Sequence, residues 1–335
     1  MSERETAQVG AEGATPPEGL SAFAARVLNQ LSLSAWLPGA LLIAVAALLI
    51  QFHGQSALSL EGAADAIQTH ALALAVLAVP TLVVATLLTQ AFSFEAIRFL
   101  EGYWPASGPL ALPFRLGVWL QVRRRTWLSK RLDGVQRRGL AGAKQQLLLQ
   151  GSSGMVILAI EADLSGAPRP PDLSAEDAAE ADTLEWWSAA SPWVSAEISR
   201  ISQTLNRLPA THRFMPTSLG NVLRAAEDEL TNAAGDIEGF VLRNRHKVPA
   251  RLVVLHDHFR TRLEMYTSLV FVSAALAITS VPVLGELALP WRLVPGVLLI
   301  VVAATSYQAA VASAKGYAST LLTMDRLIEA AAVKG

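Results

Sequence analysis

The stretch MYTSLVFVSAALAITSVPVLG, Met265–Gly285, carries no Asp, Glu, Lys or Arg. A helix needs roughly 20 such residues to cross a hydrocarbon core of about 30 Å. The stretch therefore predicts a transmembrane helix. A second charge-free run, Leu293–Ala314, follows after one short loop. Upstream, Leu31–Leu60 (apolar core Leu31–Phe52) and Ala66–Phe94 (core Ala71–Phe92) are free of the same four residue types. Trp36, Trp104 and Trp291 lie near span ends, where indole favours the membrane interface. The expected class is an all-α membrane protein. Four transmembrane helices form two hairpins that bracket a mainly helical cytoplasmic domain.

Composition agrees with that reading. Of 335 residues, 52% are hydrophobic and 16% charged, against about 25% charged in a soluble domain. Disorder of the whole chain is excluded on these grounds, and a wholly soluble globule is not expected. The net charge of −1 points to no polyanionic partner. The absence of cysteine removes disulfides, thiolate metal sites, iron–sulfur clusters and cysteine nucleophiles.

Orientation follows from the basic residues. The loop His53–Thr69 has none and Glu286–Arg292 has one, whereas Glu95–Glu264 holds 21 of 27. Both termini and the middle segment are expected in the cytoplasm, in a multi-pass protein of the bacterial inner (plasma) membrane. The expected layout is a disordered 1–20, an interfacial helix and first hairpin over 21–94, and a cytoplasmic domain over 95–264. The second hairpin covers 265–314 and a cytoplasmic C-terminal helix 315–335. Residues 1–20 lack the basic, apolar and cleavage regions of a signal peptide.

Within the middle segment, Arg123, Arg124, Arg125, Lys130 and Arg131 alternate with Trp119 and Trp127. This pattern suits a helix lying on an anionic leaflet and predicts an anionic-lipid patch. Nucleic acid is not expected as a partner, because no nucleic-acid motif accompanies the patch. Glu161–Glu185 carries eight acids against Arg169, broken by Pro168, Pro170 and Pro171. It reads as an exposed acidic loop ending in a short helix, with pairing to the basic patch as an alternative. Val194, Ile198, Ile201, Leu205 and Leu208 form a short heptad-like seam, for packing inside a bundle or between subunits. The run Met155–Ile160 fits a buried strand or a buried helix.

The string PTSLGNVLRAAED, Pro216–Asp228, is the most distinctive. Thr217 is placed to cap a helix with Leu219, Val222, Leu223 and Ala226 on its apolar face. Gly220 costs about 1 kcal/mol inside a helix relative to Ala, so a tight crossing or a ligand contact is needed to account for it. Thr217, Gly220, Asn221 and Arg224 are the candidate ligand or packing box. His256-Asp257-His258 does not make a metal clamp, since the two histidines point about 200° apart on a helix. No metal or cofactor is expected. No catalytic constellation can be assembled, which leaves an enzyme as a minority reading.

The box and the Tyr307–Tyr317 run resemble an uncharacterised, mainly actinobacterial family of four-span membrane proteins with the pattern P-T-x-L-G-N-x-L-R-A-A-E-D. The resemblance covers roughly 208–327 and implies the architecture, not an activity. The two-plus-two layout is similar to bestrophin-type chloride channels in topology alone. In the second span, Ala78, Thr81, Ala85, Thr89 and Ser93 share a small or polar stripe that Val84 and Leu88 flank as an apolar strip; Thr81, Val84, Ala85, Leu88 and Thr89 are expected to line a path, with helix packing as the alternative. No ionisable residue lies in any span core. The leading expectation is an oligomeric channel or pore (a homo-oligomer in the lipid bilayer) with a cytoplasmic vestibule or gate. The competing one is a membrane-anchored signalling or interaction module without conduction.

Overall fold

The computed structural model describes residues 33–54, 71–105, 107–231 and 237–334. Among the described residues the regular structure is helical and contains no strand. The long helices are α1 (Leu33–Phe52), α2 (Ala71–Ala91), α3 (Ser93–Glu101), α4 (Ala111–Leu149) and α5 (Gly154–Ser165). They continue with α6 (Ala175–Thr183), α7 (Pro192–Asn206), α8 (Ser218–Glu229), α9 (Ile237–Asn244), α10 (Ala250–Val283) and α11 (Leu289–Lys334). The expected disordered 1–20 and the expected interfacial helix from residue 21 lie outside the described residues.

Two helices, α10 and α11, are each long and apolar enough to cross a membrane. The described part of α1, Trp36–Phe52, falls short of a span, and α2 passes the same test only together with α3, across a 40° bend. The helix thus continues past the second span as far as Glu101, but across a bend.

The chain forms two compact units. The first contains α1, α2 and Ser268–Ala304. Its core joins Leu49 and Phe52 to Leu276, Ala277, Leu284 and Leu299. Gly39 sits against α2 so closely that a Cβ would lie 3.0 Å from the Thr86 nitrogen and hydroxyl. A similar close approach sets α10 on α11, where a Cβ at Gly296 would meet Ser280 Oγ at 3.3 Å. Small residues let helix backbones approach where burial from water supplies no driving force. Arg292 donates to the Val281 carbonyl at 2.6 Å, one of the carbonyls left without an intrahelical donor near the α10 C-terminus.

The second unit contains Phe94–Thr267 and the chain from Thr305 onward. The division in α11 falls earlier than the hairpin end expected at 314. Ser306, Ala310 and Ser313 are buried in this unit. A Cβ at Gly316 would collide with the Phe259 ring.

Met155–Ile160 is helical, within α5. Ser153 caps that helix by accepting from Val156 N–H, and Gly166 ends it at φ +70°. Its buried Val156, Ile157, Ala159 and Ile160 pack on Leu140, Ala143 and Leu147 of α4. The heptad-like seam is used inside the chain: Val194, Ile198, Ile201 and Leu205 of α7 pack on Leu128, Leu132 and Val135 of α4. The acidic loop is partly neutralised. Arg169 pairs with Asp163 at 2.6 Å and with Asp182 at 2.5 Å, and Glu161 reaches Lys144 of the basic segment at 2.6 Å.

Candidate functional site around the Pro216–Asp228 helix

Pro216 opens the box and is buried between two glycines. A Cβ at Gly102 would lie 2.5 Å from its ring, and one at Gly117 would lie 2.6 Å from its Cβ. Gly102 also adopts φ +95°, a region that side chains disfavour. Thr217 then caps α8. Its hydroxyl accepts from Gly220 N–H at 3.0 Å and donates to the Glu101 carbonyl at 3.0 Å.

Gly220 lies directly over that same carbonyl, and a Cβ there would overlap the Glu101 oxygen. Of the two roles left open for this glycine, the geometry shows the tight crossing, between α8 and the end of α3. The N-terminal N–H groups of α8 are also taken. Ser218 and Leu219 N–H both donate to the Tyr307 hydroxyl, at 3.1 and 3.4 Å. Asn221 N–H donates to the Thr217 carbonyl at 3.2 Å. An anion at this helix end would have to displace each of these partners.

Asn221 is 1% exposed and clamps the preceding turn. Its amide donates to the Met215 carbonyl at 3.0 Å and accepts from Met215 N–H at 2.8 Å. Arg224 leaves the packed face. It binds Glu227 at 2.7 Å and the Tyr103 hydroxyl at 2.8 Å, and lies over the Tyr103 ring. Arg213 completes the network by pairing with Glu227 at 2.8 Å and with Asp228.

Glu101 stands in the middle of this network. Burial raises its carboxyl pKa to about 7, with Glu227 adding to the rise and Arg224 and Arg98 opposing it. A cleft of about 10 Å³ lies between Glu101, Tyr103, Met215 and Arg224, room for about one water molecule. A cleft of this volume does not admit a substrate-sized molecule.

Sequence reasoning did not single out Glu101, Arg213 or Glu227. Glu101 stands 116 residues from Thr217, and no short motif spans that distance. The available signal was Glu101-Gly102 itself, an acid at the end of a helix followed by a residue suited to positive φ.

The stripe expected on α2 divides. Ala85 is 5% exposed and turns toward Gly39 of α1, so it cannot line a path on an outer face of the chain. Thr81, Val84 and Leu88 are exposed, and the Thr81 hydroxyl donates to the Leu77 carbonyl at 2.7 Å. Thr89 is half-buried and donates to the Thr86 carbonyl at 3.0 Å.

The basic patch on α4 is also divided. Arg125 points inward and binds the Pro209 carbonyl at 3.3 Å and the Thr211 hydroxyl at 2.9 Å. Arg131 pairs with Glu197 at 2.6 Å and lies over Trp127. Arg123 lies over Trp119. Arg124 and Lys130 are exposed.

His256 is 3% exposed, with Nδ1 3.0 Å from Asp257 and its ring against Tyr317. Among the described residues no three His, Asp or Glu side chains are grouped to hold a metal ion.

Comparison of the chain with protein-family models, curated proteins and solved structures finds no match.

Proposed function

We propose that the protein is an oligomeric ion channel or pore of the bacterial inner membrane. Four spans form two hairpins, both termini are cytoplasmic, and the second unit serves as vestibule or gate. The observation that carries the reading is the outer face of α2. Val84 and Leu88 are 55% and 52% exposed there, with Thr81 on the same side. An apolar face carrying a hydroxyl suits a lining that gates by dewetting and needs no ionisable residue. Four short spans offer few surfaces to enclose a path, so symmetric copies must complete it. The buried carboxyl of Glu101 beside the box offers a gate a proton-sensitive element.

The test is conductance of the purified full-length protein in planar bilayers, with the mass of the particle measured in parallel. Thr81→Leu and Leu88→Ala are expected to change unitary current or open probability in an oligomer. A monomeric or dimeric particle that carries no current overturns the reading and favours an anchored interaction module.

A further inference from the structure

Within the first unit, α10 and α11 leave a groove of about 360 Å³ between them. Val281 and Leu293 stand at one end, and Ala274 and Ala303 at the other. Ala277 and Gly296 make the floor, since both are buried and the two helices approach closely at Gly296. At 1.5 Å per residue the groove runs for about 10–15 Å along the helices. That is about half of a hydrocarbon core of about 30 Å, the depth of one leaflet. The groove opens outward: Ile278, which lines it, is 75% exposed.

A cation is fixed at the Val281–Leu293 end. Arg292 donates its Nε–H to the carbonyl of Val281, a lining residue, at 2.6 Å, and the next residue, Leu293, lines the groove as well. The guanidinium is half-buried and pinned at the mouth of the groove. The N–H donors on its two terminal nitrogens take no part in that bond. Among the described residues no carboxylate pairs with them. Arg292 is the single Lys or Arg between Glu264 and Lys315. Trp291 beside it is 59% exposed, and indole favours the depth at which lipid headgroups lie.

We propose that this groove binds one anionic phospholipid, with an acyl chain along the groove and the phosphate on Arg292. A guanidinium is weakly hydrated and presents phosphate oxygens with a fork of donors. Held at an apolar surface, it gains more from a counter-charge than it would in bulk water. The single cation lies at one end of an apolar trough one leaflet deep, which is the arrangement of a phosphate and its chain. A helix from a second copy fits less well, because a spanning helix needs about 30 Å, about twice the length of the groove. The proposal rests on α10 and α11 crossing the membrane and not on conduction. It involves no residue of the basic patch on α4.

Full-length protein is placed in nanodiscs of phosphatidylglycerol and phosphatidylcholine in equal amounts, then released into a neutral detergent. Native mass spectrometry counts the lipid that stays bound. Phosphatidylglycerol is expected to be retained in preference. Arg292→Gln should cut that preference about fivefold or more, and Arg292→Lys, which keeps the charge, should restore part of it. Ala274→Leu fills the far end of the groove and should lower retention of phosphatidylglycerol by a similar factor. Arg245→Gln removes a charge that Asp257 already pairs and should change retention less than about twofold. A melting temperature close to the parent's checks that each variant is folded. Equal retention of the two lipids, or a preference that Arg292→Gln leaves unchanged, overturns the proposal. So does an Ala274→Leu variant that keeps its lipid; a fall in its particle mass would then show that a second copy fills the groove. Current in planar bilayers is read separately, so failure of the channel reading leaves this result standing.

Discussion

Replacing Gly220 by Ala isolates the contact that holds the box in place. On helix propensity alone the change should stabilise α8, by at most about 1 kcal/mol. The structure reverses the sign. The new Cβ overlaps the Glu101 carbonyl oxygen, a backbone atom that cannot swing aside as a side-chain end would. Overpacking of this kind costs about 1–3 kcal/mol. Moving α8 away to relieve it also breaks the Thr217–Glu101 hydrogen bond, worth about 1 kcal/mol net. The net expectation is a loss of about 1–3 kcal/mol. Gly142→Ala is the control. Gly142 is exposed within α4, and a Cβ there meets nothing within 4 Å, so the same substitution should stabilise by up to about 1 kcal/mol. Thermal unfolding of the full-length protein in one detergent, scanned at one rate, reads both. At about 2–4 °C per kcal/mol for a unit of this size, Gly220→Ala should melt several degrees below the parent and Gly142→Ala slightly above it. A Gly220→Ala variant that melts at or above the parent refutes the tight crossing and returns the glycine to a ligand role.

Glu101 supplies a pH prediction. Its folded pKa is about 7, above the ordinary 4.5, so the folded state holds the proton more tightly than the unfolded chain does. Stability should therefore be greatest below about pH 4.5 and fall until pH 7, levelling off above it. Glu101→Gln should flatten that part of a melting-temperature profile and stabilise the protein at pH 8; a variant profile with the parent's slope refutes the assignment. Asn221→Ala leaves Met215 N–H and C=O without their partner inside a buried turn. A loss of about 2–4 kcal/mol is expected, from two unmade bonds at about 1–2 kcal/mol each, measured by the same unfolding assay. Retained stability would mean that water reaches the turn.

The charge-free run Met265–Gly285, the cap at Thr217 and the seam from Val194 to Leu205 were all legible in the chain as written. Each depends on neighbours within about two helical turns, and hydrophobic periodicity and capping are local effects. Even the helical state of Met155–Ile160 had its local markers in Ser153 and Gly166, although periodicity alone could not separate helix from strand.

Partner choice was not legible, because it is set by contacts between residues far apart in the chain. Nothing near Gly220 names the Glu101 carbonyl as the atom that excludes a side chain. Nothing near Ser218 says that a tyrosine 89 residues later accepts its N–H. The same holds for charge. Arg123–Arg131 reads as one uniform basic run, yet packing turns Arg125 inward and gives Arg131 an acid. On α2 the sequence placed Ala85 on a single stripe with Thr81, and tertiary contact with Gly39 took it off. Local pattern determined which segments are helical and apolar. Only the packing of those helices decided which polar groups satisfy one another and which remain for a ligand, because that pairing depends on distance in space and not on spacing along the chain.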